Sequence, residues 1–191
     1  MVRIGLISDT HIPEAGKELP REVFDALNGV DVVLHAGDMH VIQVLDWLES
    51  LGQVWGARGN GDDPELNGGA TVMRPGVPED PRVKEAQVVE LGGLKIGLVH
   101  DFPLPGEVPW LPIEAFLDRY FDGAVDIVVC GHTHVAKITN YKDMIIVNPG
   151  SPTRPSIRRL GHTFGTVAVM EITVNTCTVE IIDLEQMKNN A

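Results

Sequence analysis

Five short segments of this chain present side chains able to bind divalent cations or move protons. "SDTH" supplies Asp9 and His11, "AGD" supplies Asp38, and "RGNGD" supplies Asn60 and Asp62. "KIGLVH" supplies His100, and "CGHTH" supplies His132 and His134. His132 and His134 stand two positions apart, and in an extended segment such residues share a face. Two imidazoles aimed at one small volume either share a metal or repel one another when protonated. A single H-x-H decides nothing; its partners do. Asp9, His11, Asp38, Asn60, His100, His132 and His134 mix imidazole with oxygen donors. They are too many for one tetrahedral zinc and suit two five- or six-coordinate cations. A carboxylate can bridge two metals about 3.5–4 Å apart, and water between such ions loses a proton near neutral pH.

The elements that must position these groups are legible as alternating patterns. "VRIGLIS" (Val2–Ser8), "VDVVLHA" (Val30–Ala36) and "QVWGA" (Gln53–Ala57) read as buried strands. Helical runs lie between them, in "LPREVFDALNG" with Pro20 near its start and Gly29 past its end, and in "VIQVLDWLES". Alternation of strand and helix implies a largely parallel sheet with crossover helices. "KEAQVVEL-GG-LKIGLVH" reads as a hairpin on a Gly-Gly turn. "PIEAFLDRYFDG" (Pro112–Gly123) is a helix whose Ile113, Phe116, Leu117 and Tyr120 form a core-facing stripe. The last third is β-rich, with turns expected at Tyr141–Asp143 and near Asn175. The whole pattern predicts an α/β fold, two packed sheets with helices outside, in a single domain over residues 1–191. Each cation-binding segment then follows the carboxyl end of a strand, where ligands gather in open α/β sheets.

Bulk properties narrow the function. The chain has 191 residues, 43% hydrophobic and 22% charged, enough for one compact core. A formal net charge of −12 opposes a long nucleic-acid partner, because repulsion would meet every phosphate. A small phosphorylated substrate is not opposed, since a bound dication inverts the local field. The N-terminal run reads as a strand rather than a secretory signal, which predicts a cytoplasmic protein, and no apolar run is long enough to cross a bilayer. No membrane partner is expected, and a homo-oligomer stays open. Cys130 and Cys177 both read as buried free thiols.

The ordered set "DTH", "GD", "GN", strand-end His and "GHTH" resembles the motifs of the calcineurin-like metallophosphoesterase superfamily. The short chain, the "RGN-x-D" form and "NPGS" (Asn148–Ser151) resemble its small bacterial and archaeal phosphodiesterase branch, to which the retromer subunit of the same fold also belongs. The resemblance runs from Asp9 to Ser151. It implies a four-layer αββα sandwich. It also implies a first metal held by Asp9, His11 and His134, a second by Asn60, His100 and His132, and Asp38 as the bridge. The expected reaction is divalent-metal-dependent hydrolysis of a phosphate ester, a diester before a monoester, with a metal-bridging hydroxide as nucleophile. Asp38, Asn60 and His100 would be catalytic. Mn²⁺ is the expected ion, with Ni²⁺, Fe²⁺, Co²⁺ and Zn²⁺ as alternatives. The competing reading is a non-catalytic metal-binding scaffold for a protein partner.

Two positions depart from the family pattern. Gly61 stands where the small branch commonly has Cys, and Asp101 follows the strand-end His100 where Gly is common. Larger relatives carry a leaving-group-protonating His at the position of Gly61. Without it a typical 10²–10⁴-fold aid is missing, which implies a slower enzyme that favours good leaving groups.

Neighbouring residues read more plainly. His35 is expected to make a structural hydrogen bond, and His40 either lines the rim or starts a helix. His162 reads as a surface residue, Arg58 as a phosphate contact or an ion pair, and "NPGS" as a turn beside the site. Trp47, Trp55 and Trp110 read as packing groups. The loops Asp63–Arg82 and Asp101–Leu111 are expected to shape a substrate pocket.

Overall fold

A computed structural model describes residues 1–63, 75–106, 110–156, 164–174 and 176–189. His162, the turn at Asn175 and the inner parts of the two expected pocket loops lie outside the described residues. Strands β1 (Val2–Ile7), β2 (Val32–His35), β3 (Gln53–Ala57) and β4 (Val83–Lys84) run parallel in one sheet. Helices α1 (Arg21–Ala26) and α2 (Gln43–Leu48) make the first two crossovers. The hairpin β5 (Ala86–Leu91) and β6 (Leu94–Val99) opens the second sheet. Helix α3 (Ile113–Phe121), β7 (Ile127–Val129), β8 (Lys137–Tyr141) and β9 (Met144–Asn148) complete it. The chain then returns to the first sheet as β10 (Thr166–Ile172) and β11 (Cys177–Asp183) and ends in α4 (Leu184–Asn189). Strand orders are β11-β10-β1-β2-β3-β4 and β5-β6-β7-β9-β8.

The period-2 pattern of the strands decides the layers. Ile4 and Leu6 of β1, Val32 and Leu34 of β2, Ile127 and Val129 of β7, and Val147 of β9 meet in the core between the sheets. Their alternates face outward. Ile7, Val33 and Val54 pack under α1 and α2, together with Leu184 of α4. Val128 and Ile146 pack under Ile113, Phe116 and Phe121 of α3. The two packed sheets with helices outside that the pattern predicts, and the αββα sandwich that the resemblance implies, are therefore present. Helix α3 sits close on its sheet because Gly97 has no side chain: a Cβ there would lie 2.5 Å from the Phe121 ring. In the predicted stripe, Ile113 and Phe116 are buried, while Leu117 and Tyr120 are only half-buried.

Helix α4 was not legible in the pattern, because "IIDLEQMKNN" continues a strand without a break. Its start is set locally by Asp183, whose Oδ1 accepts the N–H of Glu185 at 3.0 Å, the bond an N-cap makes. No helix among the described residues is long and apolar enough to cross a membrane. Cys130 and Cys177 are free thiols as expected, Cys130 buried and Cys177 half-buried.

Candidate metal centre

Strands β1, β2 and β3 in one sheet and β6, β7 and β9 in the other are parallel within their sheets, and the loops following their carboxyl ends meet at one rim. Backbone bonds lace these loops together. Asp9 N–H donates to the Gly37 carbonyl at 2.9 Å, His11 N–H to Asp38 at 3.0 Å, and Gly131 N–H to His100 at 2.8 Å.

All seven sequence-predicted donors converge there. Asp9 Oδ1 is 3.4 Å from His134 Nε2, which is 3.1 Å from His11 Nε2. Asp38 Oδ2 is 3.6 Å from His11 Nε2 and 3.5 Å from His100 Nε2. Asn60 Oδ1 lies 3.2 Å from both His100 Nε2 and His132 Nδ1. Metal bonds of about 2.0–2.2 Å would set neighbouring donors of one ion about 3.0–3.6 Å apart, octahedral to tetrahedral. The observed separations fall in that range, so the donor set fits divalent ions.

Two of the imidazoles are aimed by carbonyls. His100 Nδ1 donates to Ala36 O at 2.8 Å and His134 Nδ1 to Arg154 O at 2.5 Å. Each bond leaves Nε2 facing the cluster, as orienting partners of metal-binding histidines do. His11 Nδ1 is buried and makes no hydrogen bond among the described residues; its ring instead meets the His40 ring edge-on, centroids 4.4 Å apart.

The backbone is strained where the donors sit. Eight non-glycine residues among those described have positive φ, and six of them are Asp9, His11, Asp38, His40, His132 and His134, at 49–69°. Asp and His tolerate this left-handed region better than most residues, at a cost of about 1–2 kcal/mol each. Such clustering marks functional sites, where surrounding structure over-determines the backbone. It also revises the extended H-x-H picture. His132 and His134 do not share a strand face; each occupies a left-handed turn, and their rings reach neighbouring donor groups, one toward Asn60 and one toward His11.

Charge is arranged to match. Burial acts against the ionised Asp38, but the hydrogen bond and charge of His100 outweigh it and hold the carboxyl well below the usual range. Burial also opposes the charged form of His100, yet Asp38 and then Asp9 raise it to about 9. His11 is pushed down to about 3, mainly by burial and then by the neighbouring His40. Burial raises Asp9, with His100 and His134 opposing.

Asp62 stood in the "RGNGD" segment but outside the predicted donor set, and its carboxylate organises the rim from beneath. It is fully buried and accepts N–H groups from Asp38 at 3.0 Å, His40 at 2.7 Å and Gly59 at 2.7 Å. Burial lifts it to about 6, with the Gly59 and His40 bonds pulling the other way. The signal available in sequence was the Asn-x-Asp spacing alone. His35 makes the expected structural bonds, to Thr10 Oγ1 and from Gly37 N–H. "NPGS" closes a turn: Asn148 Nδ2 donates to Gly131 O, and Ser151 Oγ donates to Asp9 O. Arg58 donates to the Val77 and Pro78 carbonyls. His40 is buried behind His11 rather than on the rim or in a helix.

Residues 2–175 match the calcineurin-like phosphoesterase superfamily domain. The chain belongs to this superfamily. It is 35% identical over 182 residues to a probable metallophosphoesterase of Methanothermobacter thermautotrophicus, covering 94% of this chain and 91% of the relative. A probable metallophosphoesterase of Methanocaldococcus jannaschii is 34% identical over 154 residues, covering 80% and 69%. Among solved structures, zinc-complexed Vps29 from Entamoeba histolytica has the same fold, with a TM-score of 0.63 at 23% identity over 96% of this chain and 99% of that one. An archaeal phosphodiesterase also shares it, with a TM-score of 0.59 at 19% identity over 95% and 100%. A calcineurin-like phosphoesterase depends on divalent metal, and the rim of this chain offers candidate ligands in Asp9, His11 and His134 and in Asp9, Asp38 and His100.

Proposed function

We propose that this calcineurin-like phosphoesterase is a phosphodiesterase acting at two adjacent divalent ions. The observation that carries the reading is the place of Asp38 Oδ2, 3.6 Å from His11 Nε2 on one side and 3.5 Å from His100 Nε2 on the other. One carboxylate oxygen belongs to both donor groups, as a bridging ligand must. Asp9, His11 and His134 would hold one ion, and Asn60, His100 and His132 the other. When bound, the ions supply Lewis acidity, activate water and neutralise charge on phosphorus oxygens. Asp38 arrives already ionised, so its negative charge is in place before an ion enters. His100, held by Ala36, keeps Nε2 aimed at the cluster. Asn60 turns its Oδ1 to the histidines, which leaves its amide N–H₂ as a donor for a phosphate oxygen. Mixed nitrogen and oxygen donors accept Mn²⁺, the proposed ion, with Ni²⁺, Fe²⁺, Co²⁺ and Zn²⁺ as alternatives, and the substrate is a small phosphate ester. With Gly61 in the place of a protonating imidazole, esters with good leaving groups react fastest.

The test is hydrolysis of bis-p-nitrophenyl phosphate by chelator-stripped protein before and after Mn²⁺, with Asp38→Asn alongside. Metal-dependent turnover that falls at least about 100-fold in the variant supports the reading. A monoester with the same leaving group, turned over faster, would make the protein a monoesterase instead. The Vps29 likeness favours a second reading, a non-catalytic metal-binding scaffold. Metal binding without turnover of any ester would support that one.

A further inference from the structure

Beside the Asn60, His100 and His132 end of the donor cluster opens a cavity of about 460 Å³, within the range of small-molecule sites. One wall is aromatic. Trp110 is 58% exposed and rests edge-on against Phe116 at 5.7 Å, and Phe116 stacks on Tyr120 at 4.4 Å. Trp110 keeps much of its surface open beside the cavity. The rest of the lining carries carboxylates, Asp63, Glu85 and Asp101. Arg58 also lines it, but its guanidinium is engaged by the Val77 and Pro78 carbonyls at 2.6 and 3.2 Å.

Resting on the phosphodiesterase reading, we infer that this cavity binds the non-leaving alcohol of the ester, and that this alcohol is a nucleoside. Three constraints converge. The volume exceeds what a methyl or ethyl group fills. The aromatic wall receives a flat ring, and base–aromatic stacking tolerates any base. The carboxylates of Glu85 and Asp101 accept hydrogen bonds and cannot donate them, so they favour a bound group that carries donors, as a ribose diol and a base N–H do. A plain aryl alcohol satisfies only the wall. A second phosphate on the same group would face carboxylates, with Arg58 Nη1 and Nη2 already donating to the Val77 and Pro78 carbonyls. The substrate is thus a diester joining a nucleoside 5′-phosphate to a second alcohol that leaves.

The experiment compares Mn²⁺-loaded protein on three p-nitrophenyl diesters with one leaving group: uridine 5′-(p-nitrophenyl phosphate), methyl p-nitrophenyl phosphate and bis-p-nitrophenyl phosphate. The uridine ester should show a KM about tenfold below the methyl ester. Trp110→Ala should raise the uridine KM about tenfold at near-constant kcat and leave the methyl ester unchanged. Glu85→Gln should raise KM for the uridine ester and not for bis-p-nitrophenyl phosphate. Independently of turnover, uridine added to the metal-free chain should quench tryptophan fluorescence, and Trp110→Ala should abolish the quench. Equal KM values for uridine and methyl esters, or a Trp110→Ala effect on both alike, would overturn the inference. So would a preference for bis-p-nitrophenyl phosphate that ignores Glu85. Quenching by uridine with no metal-dependent turnover of any ester would sink the phosphodiesterase reading and leave the nucleoside pocket standing. Turnover of all three without discrimination would do the reverse.

Discussion

Gly61 is one of the two positions at which this chain departs from the pattern it resembles, and the structure gives the departure a physical partner. A Cβ built on Gly61 would lie 2.9 Å from His40 Cδ2, closer still to His40 Nε2, and 3.0 Å from Asp38 Oδ1. His40 is fully buried and its ring meets His11 edge-on at 4.4 Å, so it cannot swing away without disturbing His11. The His40 ring therefore fills the space a side chain at position 61 would take. Gly61→Ala should cost about 2 kcal/mol, the middle of the range for overpacking a close-packed interior. For a chain of this length that is a fall of about 4–8 °C in Tm. His40→Ala removes both offending ring atoms. It carries its own cost, since His40 has φ of 67°, but that cost appears in both arms of a double-mutant cycle and cancels. Thermal and urea unfolding of the four proteins in chelator should show Gly61→Ala recovering at least about 1 kcal/mol in the His40→Ala background. Gly59 is the control: its Cβ would strike the backbone nitrogen of Asp38, which no side-chain change relieves. A Gly61→Ala penalty of the same size with and without His40, or a penalty below about 0.5 kcal/mol, would refute the account.

Three further outcomes follow from the same geometry. Asp62→Asn replaces one of two acceptor oxygens with a donor, so at least one of the N–H groups of Asp38, His40 and Gly59 loses its partner. It should lower stability by about 1–3 kcal/mol in urea unfolding and weaken Mn²⁺ binding measured by calorimetry. Burial pushes the Cys130 thiol up to about 12, so at pH 8 it stays protonated and inert. Thiol titration of the native protein at pH 8 should find at most Cys177, and both thiols only in guanidinium. Divalent metal should stabilise the protein by mass action, about 2.7 kcal/mol at a free concentration of 100 times Kd, read as a Tm that rises with Mn²⁺. Asp38→Asn should flatten that rise.

Much of the centre is legible in the chain's own pattern. The Asp and His residues follow apolar strand runs directly, and parallel strands bring their carboxyl ends to one edge, so Asp9, His11, Asp38, Asn60, His100, His132 and His134 were bound to meet if the strands paired as their pattern implied. The layers were legible for the same reason, since residues such as Ile4 and Leu6 alternate with outward-facing neighbours. What alternation and spacing do not carry is distance between loops. The equal reach of Asp38 Oδ2 to His11 and His100, the turn of His40 behind His11 into the space above Gly61, and the three N–H groups gathered by Asp62 depend on loops from different strands and, for His100, from the other sheet. The left-handed backbone at His132 and His134 was hidden too, because local pattern favours the extended form and only the surrounding contacts hold the strained one. Helix α4 escaped because six residues are too few to be helical alone; Leu184 is held by the core under α1 and α2. Sequence thus determined which groups reach the rim, because that is a property of strand ends. Tertiary packing decided what each one touches, because contact is a property of neighbours far apart in the chain.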